Sequence, residues 1–162
     1  MSAGELGHLR PDDDLGKLAP KMQERVEAAL AECHAQTLDA KVFEALRSQE
    51  LQSVYYARGR TVFPPEHPVT YADDVLHSWH GYGLAVDVIS QSKGWDRSPA
   101  WFTAVAETFK RHGVDWGGDW TERKRDLPHF QFGGLRDSPS ARAIALFSTG
   151  GVTAVWRDVG AL

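Results

Sequence analysis

From Leu15 to about Thr37 apolar residues return at helical spacing through Leu15, Leu18, Met22, Val26, Ala29 and Leu30, with Lys and Glu between them, which predicts an amphipathic helix. Pro20 suits its first turn, and Asp12 to Asp14 upstream are candidate caps whose charge favours the positive helix end. A short strand is predicted over Ala40 to Leu46, followed by a helix from Ser48 to about Ala57 that Gly59 ends. Thr61 to Val75 then reads as a loop rich in proline and acidic residues (Pro64, Pro65, Pro68, Asp73, Asp74), longer than an ordinary connection and of the kind that carries function. Leu84 to Ile89 predicts a second strand. A Gly/Ser/Asp-rich turn leads from it to a helix from about Pro99 to His112, with Trp101, Val105 and Phe109 as its inner stripe and Gly113 as its stop. Val114 to Trp120 reads as an aromatic, glycine-rich turn, and His129 to Phe132 as a short strand just past Pro128. Beyond Leu135 the pattern gives a helix near Ser140 to Phe147 and a final strand near Val152 to Trp156.

These elements make an α+β fold, a small antiparallel sheet with helices packed mainly on one side. The 162 residues fit one domain, with a motif-bearing part at about 15–134 and a C-terminal extension at 135–162 to which no role is assigned. No linker run, internal repeat or low-complexity segment divides them. A composition 42% apolar and 25% charged is that of a folded globular chain. A net charge of -4 and a pI near 5.9 give no electrostatic reason to approach nucleic acid. Cys33 stands alone, so neither an internal disulfide nor a Cys-rich zinc site is available. No stretch is long enough for membrane insertion, and the first ten residues lack the basic and apolar regions of a signal peptide. The expectation is a monomer that starts in the cytoplasm.

The chemistry concentrates in two stretches. In Ser78-Trp79-His80-Gly81-Tyr82-Gly83-Leu84-Ala85-Val86-Asp87, two glycines allow a tight turn just after a histidine, and a strand follows at once. Along that strand Leu84, Val86 and Val88 share one face while Ala85 and Asp87 share the other. A carboxylate in an apolar strand is costly without a partner, and a cation is the partner best able to compensate it. In Asp126-Leu127-Pro128-His129-Phe130-Gln131-Phe132, the two Phe side chains alternate with His129 and Gln131. Two imidazoles and a carboxylate leave the fourth tetrahedral position of Zn²⁺ open for water, as catalytic zinc sites do. Asp126, three residues before His129, is placed to reach that water without becoming a ligand.

The order Ser-x-His-x-x-Gly-x-Ala-x-Asp followed by Asp-x-Pro-His resembles the zinc peptidases that include VanY-like D-alanyl-D-alanine carboxypeptidases and L-alanyl-D-glutamate endopeptidases, with the closer match to the latter, endolysin-type branch. Supporting segments are Leu46-Arg47-Ser48 with Gln52, Tyr56 to Thr61, Val69 to Ala72, and the Trp116-Gly117-Gly118-Asp119-Trp120 turn, so the resemblance covers roughly Arg47 to Phe132. It implies His80, Asp87 and His129 as zinc ligands, Asp126 as general base and Arg47 as support for the oxyanion. It also implies a zinc site in a cleft on the sheet and peptidoglycan stem peptide as substrate, with the L-Ala-D-Glu bond cut; with no signal peptide seen, the expectation is a phage endolysin that stays in the host cytoplasm until released to the cell wall in the periplasm. A D,D-carboxypeptidase or dipeptidase of the same family and a non-catalytic zinc-binding module are the alternatives. Asp73-Asp74-Val75-Leu76-His77 departs from the glycine-containing turn often found before the serine.

Ser78, Gln52, Arg60, Trp79 and Trp120 are further candidates for substrate contact. His77 lies three residues before His80 and competes as a ligand, although only His80 falls on the motif. His8, His34, His67 and His112 have no partner pattern and read as ordinary surface or capping histidines.

Overall fold

The computed structural model describes residues 9–61 and 67–162; His8 and the loop prolines Pro64 and Pro65 lie outside the described residues. Helix α1 spans Pro20–Ala35, where the missing N–H of Pro20 costs nothing because the first turn has no acceptor for it. The expected start at Leu15 is corrected: Leu15–Lys17 is a separate 3-10 turn, and Asp14 caps that turn by accepting from Gly16 N at 2.9 Å. Pro20 is the cause, because it holds Ala19 extended (φ -54, ψ 142) and so prevents a continuous helix.

Strand β1 (Ala40–Glu44) leads to helix α2 (Gln49–Ala57), whose cap Ser48 accepts from Leu51 N at 3.2 Å. Strand β2 (Ala85–Ser90) leads to helix α3 (Pro99–Arg111), capped by Ser98 and stopped by Gly113 at φ 77. Strand β3 (Val114–Trp116) and strand β4 (His129–Phe132) follow, then helix α4 (Ala141–Val159), which breaks at Gly151 (φ 70, ψ -175). Two expectations fail here. Val114–Trp116 is a strand rather than part of a turn, because buried Val114 and Trp116 flank exposed Asp115 over only three residues, too few for the alternation to stand out. Val152 to Trp156 is helical rather than extended, since Val152, Val155, Trp156 and Val159 recur at helical spacing and pack on the core.

The four strands form one antiparallel sheet in the order β1-β2-β4-β3. Val86 pairs with Phe130 and Val42 with Val88, so their side chains share a face, and α1 and α3 supply the apolar groups on that side. Phe109 of α3 meets Phe130 with ring centroids 4.6 Å apart. Both rings are fully buried, and each burial stabilises the fold by roughly 1.5–3 kcal/mol. The opposite face carries Asp87 paired with His129 and Ala85 paired with Gln131. A bulge at Phe43 shifts the β1 register so that Glu44, rather than Phe43, pairs with Asp87. The α+β architecture with helices mainly on one side is thus as the pattern predicts, and it leaves the polar face of the sheet for chemistry.

The segment after Leu135 is packed into the same apolar cluster through Ala143, Val155 and Ala161, all buried. Hydrogen bonds that tie it to the body include Trp156 Nε1 to Tyr82 O at 2.7 Å, Trp79 Nε1 to Arg136 O at 2.8 Å, and Lys21 N to Ala161 O at 3.0 Å. Two of these hold the turn that carries His80. Among the described residues no helix is long and apolar enough to cross a membrane.

Candidate metal centre and active site

His80 sits in a 3-10 turn, Trp79–Tyr82, that precedes β2. Ser78 Oγ accepts from His80 N at 3.4 Å, and Gly83 at φ 65 closes the turn into the strand. Gly81 allows close approach of the preceding turn, since a Cβ there would lie 2.3 Å from Val75 O. Arg47 N donates to His80 O at 3.1 Å and Tyr82 OH to Leu76 O at 3.0 Å, so the turn is fixed from several sides.

The turn, β2 and β4 bring His80, Asp87 and His129 together, one ligand atom from each lying within 4.8 Å of the others. His80 Nε2 is 3.3 Å and His129 Nδ1 3.8 Å from the same oxygen, Asp87 Oδ1. The other ring nitrogens are engaged elsewhere. His80 Nδ1 lies 3.1 Å from Ala45 O, which can only accept, so this nitrogen carries the proton. His129 Nε2 lies 2.9 Å from Gln131 Oε1, and the amide orientation is settled because Gln131 Nε2 donates to Arg136 O at 2.7 Å and Leu135 O at 3.3 Å. Both remaining nitrogens therefore point lone pairs at a carboxylate oxygen. Three acceptors converging with no donor between them are reconciled by a cation, and the N, N, O set suits Zn²⁺.

Charge and burial agree with that fit. Burial first, and the Arg47 charge second, push the His80 imidazole down to about 3. Burial and then His80 hold His129 below its ordinary value. Both rings are thus kept in the neutral form a metal requires. Burial raises the Asp87 carboxyl, against the pull of Arg47 and then His129. Asp126 is pushed up to about 6, by the protein packed around it and then by the Asp87 charge. The residue nevertheless borders open solvent, so this shift measures proton affinity at the cleft rim rather than a large energy of folding.

Arg47 lies under the site, with its NH2 3.6 Å from Asp87 Oδ2 and its side chain 8% exposed. It is ion-paired to the fully buried Glu44, whose other oxygen accepts from Tyr55 OH at 3.0 Å. Gln52 is also fully buried, accepting from Arg47 NH1 at 2.9 Å and donating to Ala72 O at 2.6 Å. Its amide therefore positions Arg47 and faces no ligand. Arg60 donates to Tyr56 O and Thr70 O at 2.7 and 3.1 Å and stacks on Tyr56, which holds the loop edge outside the cleft lining.

The cleft has a volume of about 930 Å³, and its lining includes all three ligand candidates together with Arg47, Asp126, Ser78, Trp79 and Trp120. Trp120 lies against His129 with ring centroids 4.9 Å apart. His77 lines the rim but hydrogen-bonds Asp73 at 2.7 Å and is not among the converging ligands. Gly117 lets the loop that carries Asp126 close: a Cβ there would lie 2.5 Å from Asp126 O and 3.1 Å from His129 Cβ.

A family model described as D-alanyl-D-alanine carboxypeptidase matches residues 72–132, the span that holds His80, Asp87, Asp126 and His129. The peptidoglycan L-alanyl-D-glutamate endopeptidase CwlK of Bacillus subtilis (strain 168) is 33% identical over 125 residues, covering 70% of this chain and 72% of that protein. The chain belongs to the peptidase M15 family. Among solved structures, the Serratia marcescens L-Ala D-Glu endopeptidase ChiX matches with a TM-score of 0.56 at 25% identity over 76% of this chain and 86% of that one. The vancomycin-resistance D,D-dipeptidase VanXYg, at 16% identity, shares the fold with a TM-score of 0.51 over 91% of this chain and 66% of that one. This M15 chain is accordingly a peptidase, of a family that depends on zinc.

Two residues of this M15 site were not among the sequence candidates: Glu44, which holds Arg47, and Gln131, which orients His129. Gln131 shares the alternation that singles out His129, and a polar residue between two phenylalanines was the available signal. For Glu44 none existed, because its place beside Asp87 depends on the bulge at Phe43.

Proposed function

We propose that this chain is a zinc-dependent L-alanyl-D-glutamate endopeptidase that cuts the stem peptide of peptidoglycan. The observation that carries the metallopeptidase part is the convergence of His80 Nε2, Asp87 Oδ1 and His129 Nδ1 in a cleft that also holds Asp126. The identity to CwlK and the likeness to ChiX support the substrate and the bond.

His80, Asp87 and His129 would hold the zinc. Bound Zn²⁺ would supply Lewis acidity that polarises the scissile carbonyl and makes water acidic near neutral pH. Asp126 takes the proton from the attacking water and returns it to the leaving amine, which in the stem peptide is the nitrogen of D-glutamate. Burial raises the affinity of the Asp126 carboxyl for that proton, which suits it to both halves of the task. Arg47, fixed by Glu44 and Gln52, places a positive charge under the site where the carbonyl oxygen gains negative charge. Gln131 and Ala45 O keep the two imidazoles in the required tautomers.

The test is mass spectrometry of purified peptidoglycan digested with and without a chelator. New D-glutamate amino termini that disappear with the chelator are expected, and Asp126→Asn should retain zinc while losing about 10²–10⁴-fold in turnover. Release of D-alanine in place of those termini would transfer the assignment to the carboxypeptidase reading, which the family model's description favours. A variant with undiminished turnover would remove Asp126 from the mechanism. The phage lysis setting rests on the sequence reading alone; its test is whether cytoplasmic expression lyses cells only when the inner membrane is also permeabilised.

A further inference from the structure

We propose that Trp95 and Phe43 form a sugar-stacking subsite at one end of the cleft, which binds the glycan unit attached to the stem peptide. The inference rests on the peptidoglycan reading above and extends it from the bond to the glycan.

Trp95 is half exposed, at 50%, and lines the same cleft as the converging ligands. It is held on a closed turn. Ser90 N donates to Gly94 O at 3.0 Å and Gly94 N returns to Ser90 O at 2.9 Å, while the Asp39 carboxylate accepts from Ser90 Oγ at 2.7 Å and from Ser92 N at 3.0 Å. Phe43 meets the indole edge-on, with centroids 4.7 Å apart and planes at 70°. The bulge that brings Glu44 beside Asp87 is also what sets Phe43 out of register. A large apolar ring left half in water on a turn this well fixed is a preorganised flat surface, and an indole face suits the C–H face of a pyranose.

The sheet order decides which part of the substrate arrives there. Asp87 and His129 lie on the two central strands, with Phe43 on β1 at one flank and the loop bearing Asp126 between β3 and β4 at the other. Asp126 returns its proton to the leaving amine, so the D-glutamate side of the peptide lies over its loop. The acyl side then runs toward β1. In a stem peptide that side is one residue, L-alanine, joined directly to the lactyl group of the sugar. The glycan therefore meets the cleft at the Phe43 and Trp95 end.

The experiment compares kcat/KM on a disaccharide tetrapeptide with that on the same peptide stripped of sugar, using the zinc-loaded full chain. Trp95→Ala is expected to lose about tenfold on the sugar-bearing substrate, through KM, and to leave the stripped peptide unchanged; Trp95→Tyr should restore most of the loss. An equal loss on both substrates, or no loss on either, overturns the subsite. If the unaltered protein cuts neither substrate, the endopeptidase reading fails and the subsite falls with it.

Discussion

Gln131 offers the sharpest separation of metal binding from folding. Its Oε1 lies 2.9 Å from His129 Nε2, and its Nε2 donates to Leu135 O and Arg136 O. Replacing it with leucine removes the acceptor that fixes the imidazole and also strands two carbonyls in a residue environment only 1% exposed. Outer partners of metal-bound histidines are worth about 10–100-fold in metal affinity, or about 1.4–2.7 kcal/mol. The stranded carbonyls cost a further 1–3 kcal/mol or so of fold stability. Gln131→Glu divides these effects, because an ionised carboxylate still accepts from His129 but cannot donate to the carbonyls.

Zinc affinity measured by competition against a chromophoric chelator, with thermal melts of the metal-free proteins alongside, reads both quantities. Gln131→Leu should lose affinity and melting temperature, whereas Gln131→Glu should keep affinity within about threefold and lose melting temperature. Wild-type zinc affinity in Gln131→Leu, at any melting temperature, would refute the claim that this amide sets the ligand tautomer.

Gly117→Ala places a Cβ 2.5 Å from Asp126 O, which should destabilise the fold by about 1–3 kcal/mol and cut kcat/KM of the zinc-saturated protein at least about tenfold; unaltered kinetics would show that the loop tolerates displacement. Zinc affinity should be nearly flat on lowering the pH to about 6.5. The reason is that burial holds both imidazoles below their ordinary value, His80 down to about 3, so protons compete little with the metal for them at that pH. Two ordinary imidazoles would each halve the affinity at that pH, about fourfold together, so chelator competition from pH 7.5 to 5 distinguishes the cases.

What the sequence made legible was the part with short-range signatures. The period of two in His129–Phe132 places His129 opposite its phenylalanines, and Ser48 and Pro99 mark where α2 and α3 begin. Pro20 misled, because its position inside a good apolar stripe concealed that the stripe spans two elements. The β3 strand is too short to alternate visibly, and the Gly150-Gly151 break in α4 obscured the helical spacing beyond it. Within the site, the contacts that depend on pairing distant strands were out of reach. Glu44 meets Asp87 only because β1 bulges, and Gln52 reads as a candidate contact until its amide is found occupied by Arg47 and Ala72.

The charges on the polar face of the sheet also give the reason why a divalent ion, rather than Arg47, would complete the site. Glu44, Asp87 and Asp126 bring three carboxylates, Arg47 brings one positive charge, and the two imidazoles are neutral, which leaves an excess of two negative charges. Arg47 is largely cancelled by Glu44, to which it is ion-paired, so the pair positions as much as it neutralises. The residual demand falls on Asp87 and Asp126, the two carboxyls whose proton affinity is raised in the absence of metal. Protons or a doubly charged cation can meet that demand. Protons would silence both Asp87 and Asp126, whereas a cation would satisfy Asp87 directly and lower the proton affinity of Asp126, keeping it ionised and able to accept a proton. The same arrangement that raises both carboxyls in the metal-free site would therefore favour the ionised form of Asp126 once a divalent ion filled it.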